Sequence, residues 1–284
     1  MEISVVCKYN QARSIIGAAA IRKFYPEITV HSSGIFALAG GLIPASIRDI
    51  AQSWKLPIQE IFSTPVAQAD PELTTSALII GADEEVSLAL KRLYPQGQIR
   101  NLQDAAIALE FTPHDPSGMS GFKTEIELAK VVALTLQEVR TFLGKPAPFP
   151  ITAWIPRSPQ SEAGLIKRVL NERSTALTID LNFRTPSPES WTNPIRPVRA
   201  LPSDFIGKLS ELVDLGNFSG VIISPTFEAT WPESLWTDPA LAAAISAAAE
   251  IGPVNLVTAP LTIGDKLKPD AFLASISATE IHII

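Results

Sequence analysis

Near its start the chain reads Ile3-Ser4-Val5-Val6-Cys7-Lys8-Tyr9-Asn10-Gln11-Ala12-Arg13-Ser14, and this stretch decides how the first half is read. Ile3 to Val6 is a short β-type run. A polar loop carries the chain to Arg13, and an alanine-rich helical stretch follows from Ser14 to about Phe24. A loop that enters a helix N-terminus turns several backbone N–H groups toward one point, and the helix dipole adds positive potential there. Such a cradle suits a phosphate-sized oxyanion. Cys7 would supply a thiolate to attack phosphorus. Arg13 would grip two phosphoryl oxygens through its fork of donors, more tightly as charge shifts in the transition state. The Ser14 hydroxyl can donate to the Cys7 sulfur, and Asn10 can brace the loop.

Outward from this loop the pattern alternates. Residues 29–31 read as a second strand ending at Ser32-Ser33-Gly34, and 45–54 as a helix after Pro44. Leu78-Ile79-Ile80 is an apolar strand, and 82–93 follows with helical spacing. A turn-rich passage, Phe111 to Gly118, precedes a long amphipathic helix over about 123–143. β/α alternation of this kind predicts a parallel sheet covered on both faces. Gly144-Lys145-Pro146-Ala147-Pro148-Phe149-Pro150 cannot continue a helix, because three prolines in five residues remove donors and force extended backbone. The domain boundary falls there, giving 1–145 and 146–284.

The second part alternates again. Strands are expected at 152–155, 176–179, 221–223 and 254–257, with His282 in a near-terminal strand. Helices are expected at 161–172, 204–215 and 239–251. It is a second α/β domain, without sequence similarity to the first. The loop Arg157-Ser158-Pro159-Gln160-Ser161 and the strand ends at Ser224-Pro225-Thr226 and Thr258-Ala259-Pro260 offer a place for a second ligand. An N-cap with a surface arginine explains the first of these as well.

Composition narrows the function classes. The chain has 284 residues, 46% hydrophobic and 18% charged, which excludes disorder and low-complexity architectures. Net charge is −6, and the halves hold 13 Lys+Arg against 15 Asp+Glu and 10 against 14. Neither carries the basic excess that non-specific nucleic-acid binding needs. A single Cys rules out an intrachain disulfide or a multi-cysteine metal site, and three scattered histidines make no metal centre. With no apolar stretch long enough to span a bilayer and no secretory signal after Met1, the expected setting is cytoplasmic.

The loop resembles the signature of the low-molecular-weight protein tyrosine phosphatases, a family that includes related arsenate reductases. Cys7, Asn10, Arg13 and Ser14 match, directly after the N-terminal strand. His31-Ser32-Ser33-Gly34 looks like the family's second-strand terminus, 77–82 like its apolar strand before a helix, and Asp115-Pro116 like its general-acid loop. The resemblance covers about residues 1–144.

It implies a three-layer, parallel-sheet phosphatase domain with Cys7 as nucleophile, Arg13 as phosphate clamp and Asp115 as general acid and base. Lys8, Tyr9, Asn10, Gln11, Ala12 and Ser14, with Leu38 from the facing loop, would bind substrate. No cofactor or metal is implied. The expected substrate is a phosphorylated protein or small molecule, and the second domain could mediate homo-oligomer contacts. Three departures stand out: Tyr9 replaces a common glycine, Ala12 replaces a second cysteine, and Ser117-Gly118 replaces the aromatic pair after Asp-Pro. A thiol-dependent arsenate reductase would need an external thiol, because the chain has one Cys. A phospho-ligand sensor with little turnover is the non-catalytic alternative.

Overall fold

The computed structural model describes residues 1–104 and 112–145 and, beyond them, five strands and Ala249. Two compact units emerge, Met1–Ala147 and Pro148–Ile284.

The first unit is built on a four-stranded parallel sheet. Its strands are β1 (Glu2–Cys7), β2 (Thr29–Gly34), β3 (Leu78–Gly81) and β4 (Ile99–Asn101), in the order β2-β1-β3-β4. β1 and β3 are buried almost throughout, as expected of strands covered on both faces. Among the described residues the helices with both ends in view are α1 (Arg13–Phe24), α2 (Ala45–Ser53), α3 (Asp70–Thr75), α4 (Glu84–Leu93) and α5 (Phe122–Phe142). On one face Val6 and Ile79 pack with Leu73 of α3 and with Val86 and Leu90 of α4. On the other, α1 runs beside Val5 and against α5. It comes close enough at Gly17 that a Cβ there would lie 3.0 Å from Thr135 Oγ1.

Local chemistry accounts for these elements. The run Ile15-Ile16-Gly17-Ala18-Ala19-Ala20-Ile21 is apolar all round, and every one of its residues is buried, which is how such a helix is stabilised. Each fully buried isoleucine contributes roughly 1.5–3 kcal/mol. α4 is capped by Asp83, whose Oδ1 accepts the Val86 N–H at 2.9 Å, with acids in its first turn and bases in its last.

The strands and helices predicted for residues 1–145 all form, with ends within two residues of expectation. Two short elements, α3 and β4, were not anticipated. In the second unit β5 (Ile151–Ile155), β6 (Leu177–Leu181), β7 (Val221–Pro225), β8 (Val254–Val257) and β9 (Glu280–Ile283) form a wholly parallel sheet in the order β6-β7-β8-β5-β9. The helices expected at 161–172 and 204–215, the Arg157 loop and the 258–260 strand end lie outside the described residues, as does the helix expected at 239–251 except for Ala249, which is helical. Among the described residues no helix is long and apolar enough to cross a membrane.

Candidate active site

Strand order places the site. The chain leaves β1 toward β2 on one side and returns to β3 on the other, so the C-terminal end of β1 lies at the switch point where open parallel sheets bind ligands. Cys7 is the last residue of β1, and Arg13 the first of α1. The N-cap of α1 is Ala12, with no side-chain capping bond and no acid in the first turn, so the helix's own side chains leave its first N–H groups to an anion.

The loop between them is held tightly. Asn10 sits in the left-handed region at φ 51°. Its backbone N–H reaches Cys7 Sγ at 3.2 Å, and Ser14 Oγ lies 3.1 Å from the same sulfur. The Asn10 amide spans the back of the loop: Nδ2 donates to Ser14 Oγ and Ser32 Oγ, both at 3.0 Å, and Oδ1 accepts the Thr64 N–H at 2.7 Å. Gly34 lets the loop pass. A Cβ on it would stand 2.6 Å from Asn10 N and 2.9 Å from the Lys8 carbonyl oxygen, which no side chain could accommodate without backbone movement.

Arg13 is 3% exposed and carries two carboxylates. Nη1 donates to Asp83 Oδ2 at 3.0 Å, and Nη2 to Asp115 Oδ2 at 2.8 Å. The second oxygen of Asp115 accepts the Ser117 N–H at 3.1 Å, closing the Asp-Pro turn. That turn is tied to α5 through Glu127, which accepts the His114 N–H at 2.6 Å and pairs with Lys130 at 3.0 Å. At the rim Lys8 pairs with Glu85 at 2.7 Å, and the hydrogen bond to that carboxylate holds its ammonium pKa above the usual lysine value.

A cleft of about 510 Å³ opens over the loop. Cys7, Lys8, Tyr9, Gln11, Ala12 and Arg13 form its floor. One wall comes from Pro44 and α2, through Ser46, Ile47, Asp49 and Ile50. The other runs from Asp115 to Gly121, with Thr124 and Glu125 of α5.

The sequence reading placed ten residues here, and seven line the cleft. The other three do not. Asn10 and Ser14 are fully buried behind the loop, so they support it and its sulfur rather than contact what enters. Leu38 is 80% exposed and outside the cleft. Tyr9 is at the mouth, with its ring centroid 6.3 Å from that of Phe36, so this pair supplies aromatic surface in a different place from the positions after Asp115-Pro116. Asp83 was missed, although an Asp before a helical run is a recognisable N-cap; nothing local signals its bond to Arg13, 70 residues earlier.

No family model matches the sequence, and no curated protein matches it. Solved structures similar to the chain include YfkJ from Bacillus subtilis, 18% identical over 51% of this chain and 95% of that one, with a TM-score of 0.44. A low molecular weight protein tyrosine phosphatase from T. tengcongensis is 17% identical over 50% and 99%, TM-score 0.44. The YwlE arginine phosphatase from Geobacillus stearothermophilus is 18% identical over 50% and 91%, TM-score 0.41.

Proposed function

We propose that the chain is a cysteine-dependent phosphatase that hydrolyses a phosphomonoester through a cysteinyl-phosphate intermediate. The observation that carries this reading is the convergence of Cys7, Arg13 and Asp115 on one cleft at the switch point of the sheet, with Arg13 and Asp115 in direct contact.

Each group has a role that its position allows. The Cys7 thiolate attacks phosphorus in line with the leaving oxygen. As the phosphorus–oxygen bond breaks, protonated Asp115 gives its proton to that oxygen. Arg13 and the loop N–H groups neutralise charge on the transferring phosphoryl oxygens. Water then attacks the cysteinyl-phosphate while the Asp115 carboxylate takes one of its protons. The sulfur–phosphorus bond breaks, phosphate departs, and thiolate and acid are restored. Asn10 N–H and Ser14 stabilise the sulfur anion at both ends of the cycle.

The test is hydrolysis of an aryl phosphate by the wild type and Cys7→Ser, without added metal and with reductant present. Turnover that disappears in Cys7→Ser, together with trapping of phosphate on Cys7 after rapid acid quench, supports the reading. A wild type that binds phosphate but turns over no aryl or alkyl ester would overturn it in favour of a phospho-ligand sensor. Arsenate reduction dependent on added thiol would instead make it an arsenate reductase.

A further inference from the structure

We propose that Glu60, held by Arg22, is a positioning residue for the nucleophile: it anchors the outer end of a buried hydrogen-bond chain that directs the Ser14 proton onto the Cys7 sulfur. The inference rests on the reading of Cys7 as the attacking group.

The chain can be followed atom by atom. Arg22 donates from Nη1 to Glu60 Oε2 at 3.0 Å and from Nη2 to Oε1 at 2.6 Å, and it is itself fixed to the Val30 carbonyl at 2.9 Å. Burial opposes ionisation of Glu60, but the Arg22 guanidinium and the Ser32 hydroxyl outweigh it and hold the carboxyl pKa below its ordinary value. An ionised carboxylate only accepts. Ser32 therefore commits its one proton to Oε1, at 2.8 Å, and can face Asn10 only as an acceptor. The Asn10 amide must then present its NH2 to Ser32. The Thr64 N–H, which cannot accept, makes the same demand by requiring Oδ1 on its side. The second Nδ2 proton goes to Ser14 Oγ, whose own proton is left for Cys7 Sγ.

The alternative orientation shows what Glu60 contributes. If the Asn10 amide flipped, its oxygen would face both serines, and the Ser14 proton would be drawn away from sulfur. Glu60 and Thr64 together forbid this, and without the Glu60 charge Ser32 is free to donate toward Asn10. Buried, fully satisfied networks of this kind hold one arrangement because each alternative leaves a donor facing a donor.

The chain's single cysteine makes the test clean. Iodoacetamide alkylation of Cys7 and thiolate ultraviolet absorbance, both at pH 7, report the sulfur without requiring phosphatase turnover, so a failed phosphatase assay leaves this test intact. Glu60→Gln is expected to slow alkylation by about threefold to tenfold, with a matching fall in thiolate absorbance, a size typical of coupling through neighbouring hydrogen bonds. In a Ser14→Ala background the same substitution should change the rate by less than about twofold, because the proton it directs is gone. Ser32→Ala, which cuts the chain in the middle, should reproduce the Glu60→Gln effect, and the double variant should be no slower than either single one. Alkylation of folded Glu60→Gln at the wild-type rate would overturn the proposal, as would effects that multiply with Ser14→Ala. If Glu60→Gln does not fold, a wild-type rate in Ser32→Ala overturns it equally.

Discussion

Arg13 Nη2 and Asp115 Oδ2 meet at 2.8 Å across 102 residues of sequence, so the proposed phosphate clamp and the proposed acid share one hydrogen bond. A phosphoryl oxygen that takes the Nη2 hydrogen now given to Asp115 displaces that carboxyl oxygen, which frees it toward the leaving group. Asp115→Asn should therefore separate binding from chemistry. The variant is expected to lose about 10²–10⁴-fold in kcat on alkyl phosphates, where the departing oxygen needs a proton. It should lose much less on an activated aryl phosphate, while phosphate inhibits it at least as well as the wild type. Equal losses on both esters would mean that Asp115 does not protonate the leaving group.

Asp83 has two duties on its two oxygens, capping α4 with Oδ1 and holding Arg13 with Oδ2. Asn is as good a cap as Asp, so Asp83→Asn spares the helix and removes the charge that pairs with a guanidinium only 3% exposed. A charged hydrogen bond in such a place contributes roughly 1.5–3 kcal/mol. Urea unfolding should show a loss in that range, and kcat/KM should fall by about tenfold as the clamp loses its orientation. Normal activity with lowered stability would show that Asp83 supports the fold alone.

What could be read beforehand follows the range of the interaction. The Cys7 loop, Arg13 and the Asp115-Pro116 turn were legible because loop spacing and Asp-Pro are local signals. β1 was legible as a short β-branched run broken only by Ser4, and β3 as an apolar run. β4 was missed, because Ile99-Arg100-Asn101 offers one apolar residue in three, and α3 because Asp70-Pro71-Glu72-Leu73-Thr74-Thr75 buries only Leu73. Asp83 and Glu60 were missed for a different reason. Each is a carboxylate whose partner lies 70 or 38 residues away, and no periodicity marks such a pair. Asn10 was legible as a brace of the loop, but its partners Ser14, Ser32 and Thr64, reached by an amide turned inward on a left-handed backbone, were not all local enough to name.

Gly34 should prove as necessary as the loop it supports. It ends β2 in register with Cys7, and its N–H is bound to the Thr64 carbonyl at 2.9 Å, so β2 cannot simply retreat. Gly34→Ala places a methyl among backbone atoms of residues 8–10. Overpacking of this kind costs roughly 1–3 kcal/mol. The larger effect is expected on the site, as displaced Asn10 withdraws its N–H from sulfur. Phosphate affinity, measured by calorimetry, should fall by about tenfold or more, with the melting temperature reduced only modestly. An unchanged affinity would show that the loop does not need this close approach.

Acid titration gives an independent view of the Glu60 and Arg22 pair. The folded-state pKa of Glu60 is held below its unfolded value near 4.5, against burial, by Arg22 and Ser32. A carboxylate of that kind adds stability that is fully present above the unfolded pKa and disappears as pH falls through the folded one. Total acid unfolding would not isolate it, because burial shifts Glu138 upward and its protonation works in the opposite direction. The difference between wild type and Glu60→Gln does isolate it. That difference in unfolding free energy should hold steady from neutral pH to about 5, then shrink through the region below 4.5. A difference that stayed constant into strong acid would mean that the Glu60 charge contributes nothing to the buried pair, and that the carboxyl is held there by shape alone.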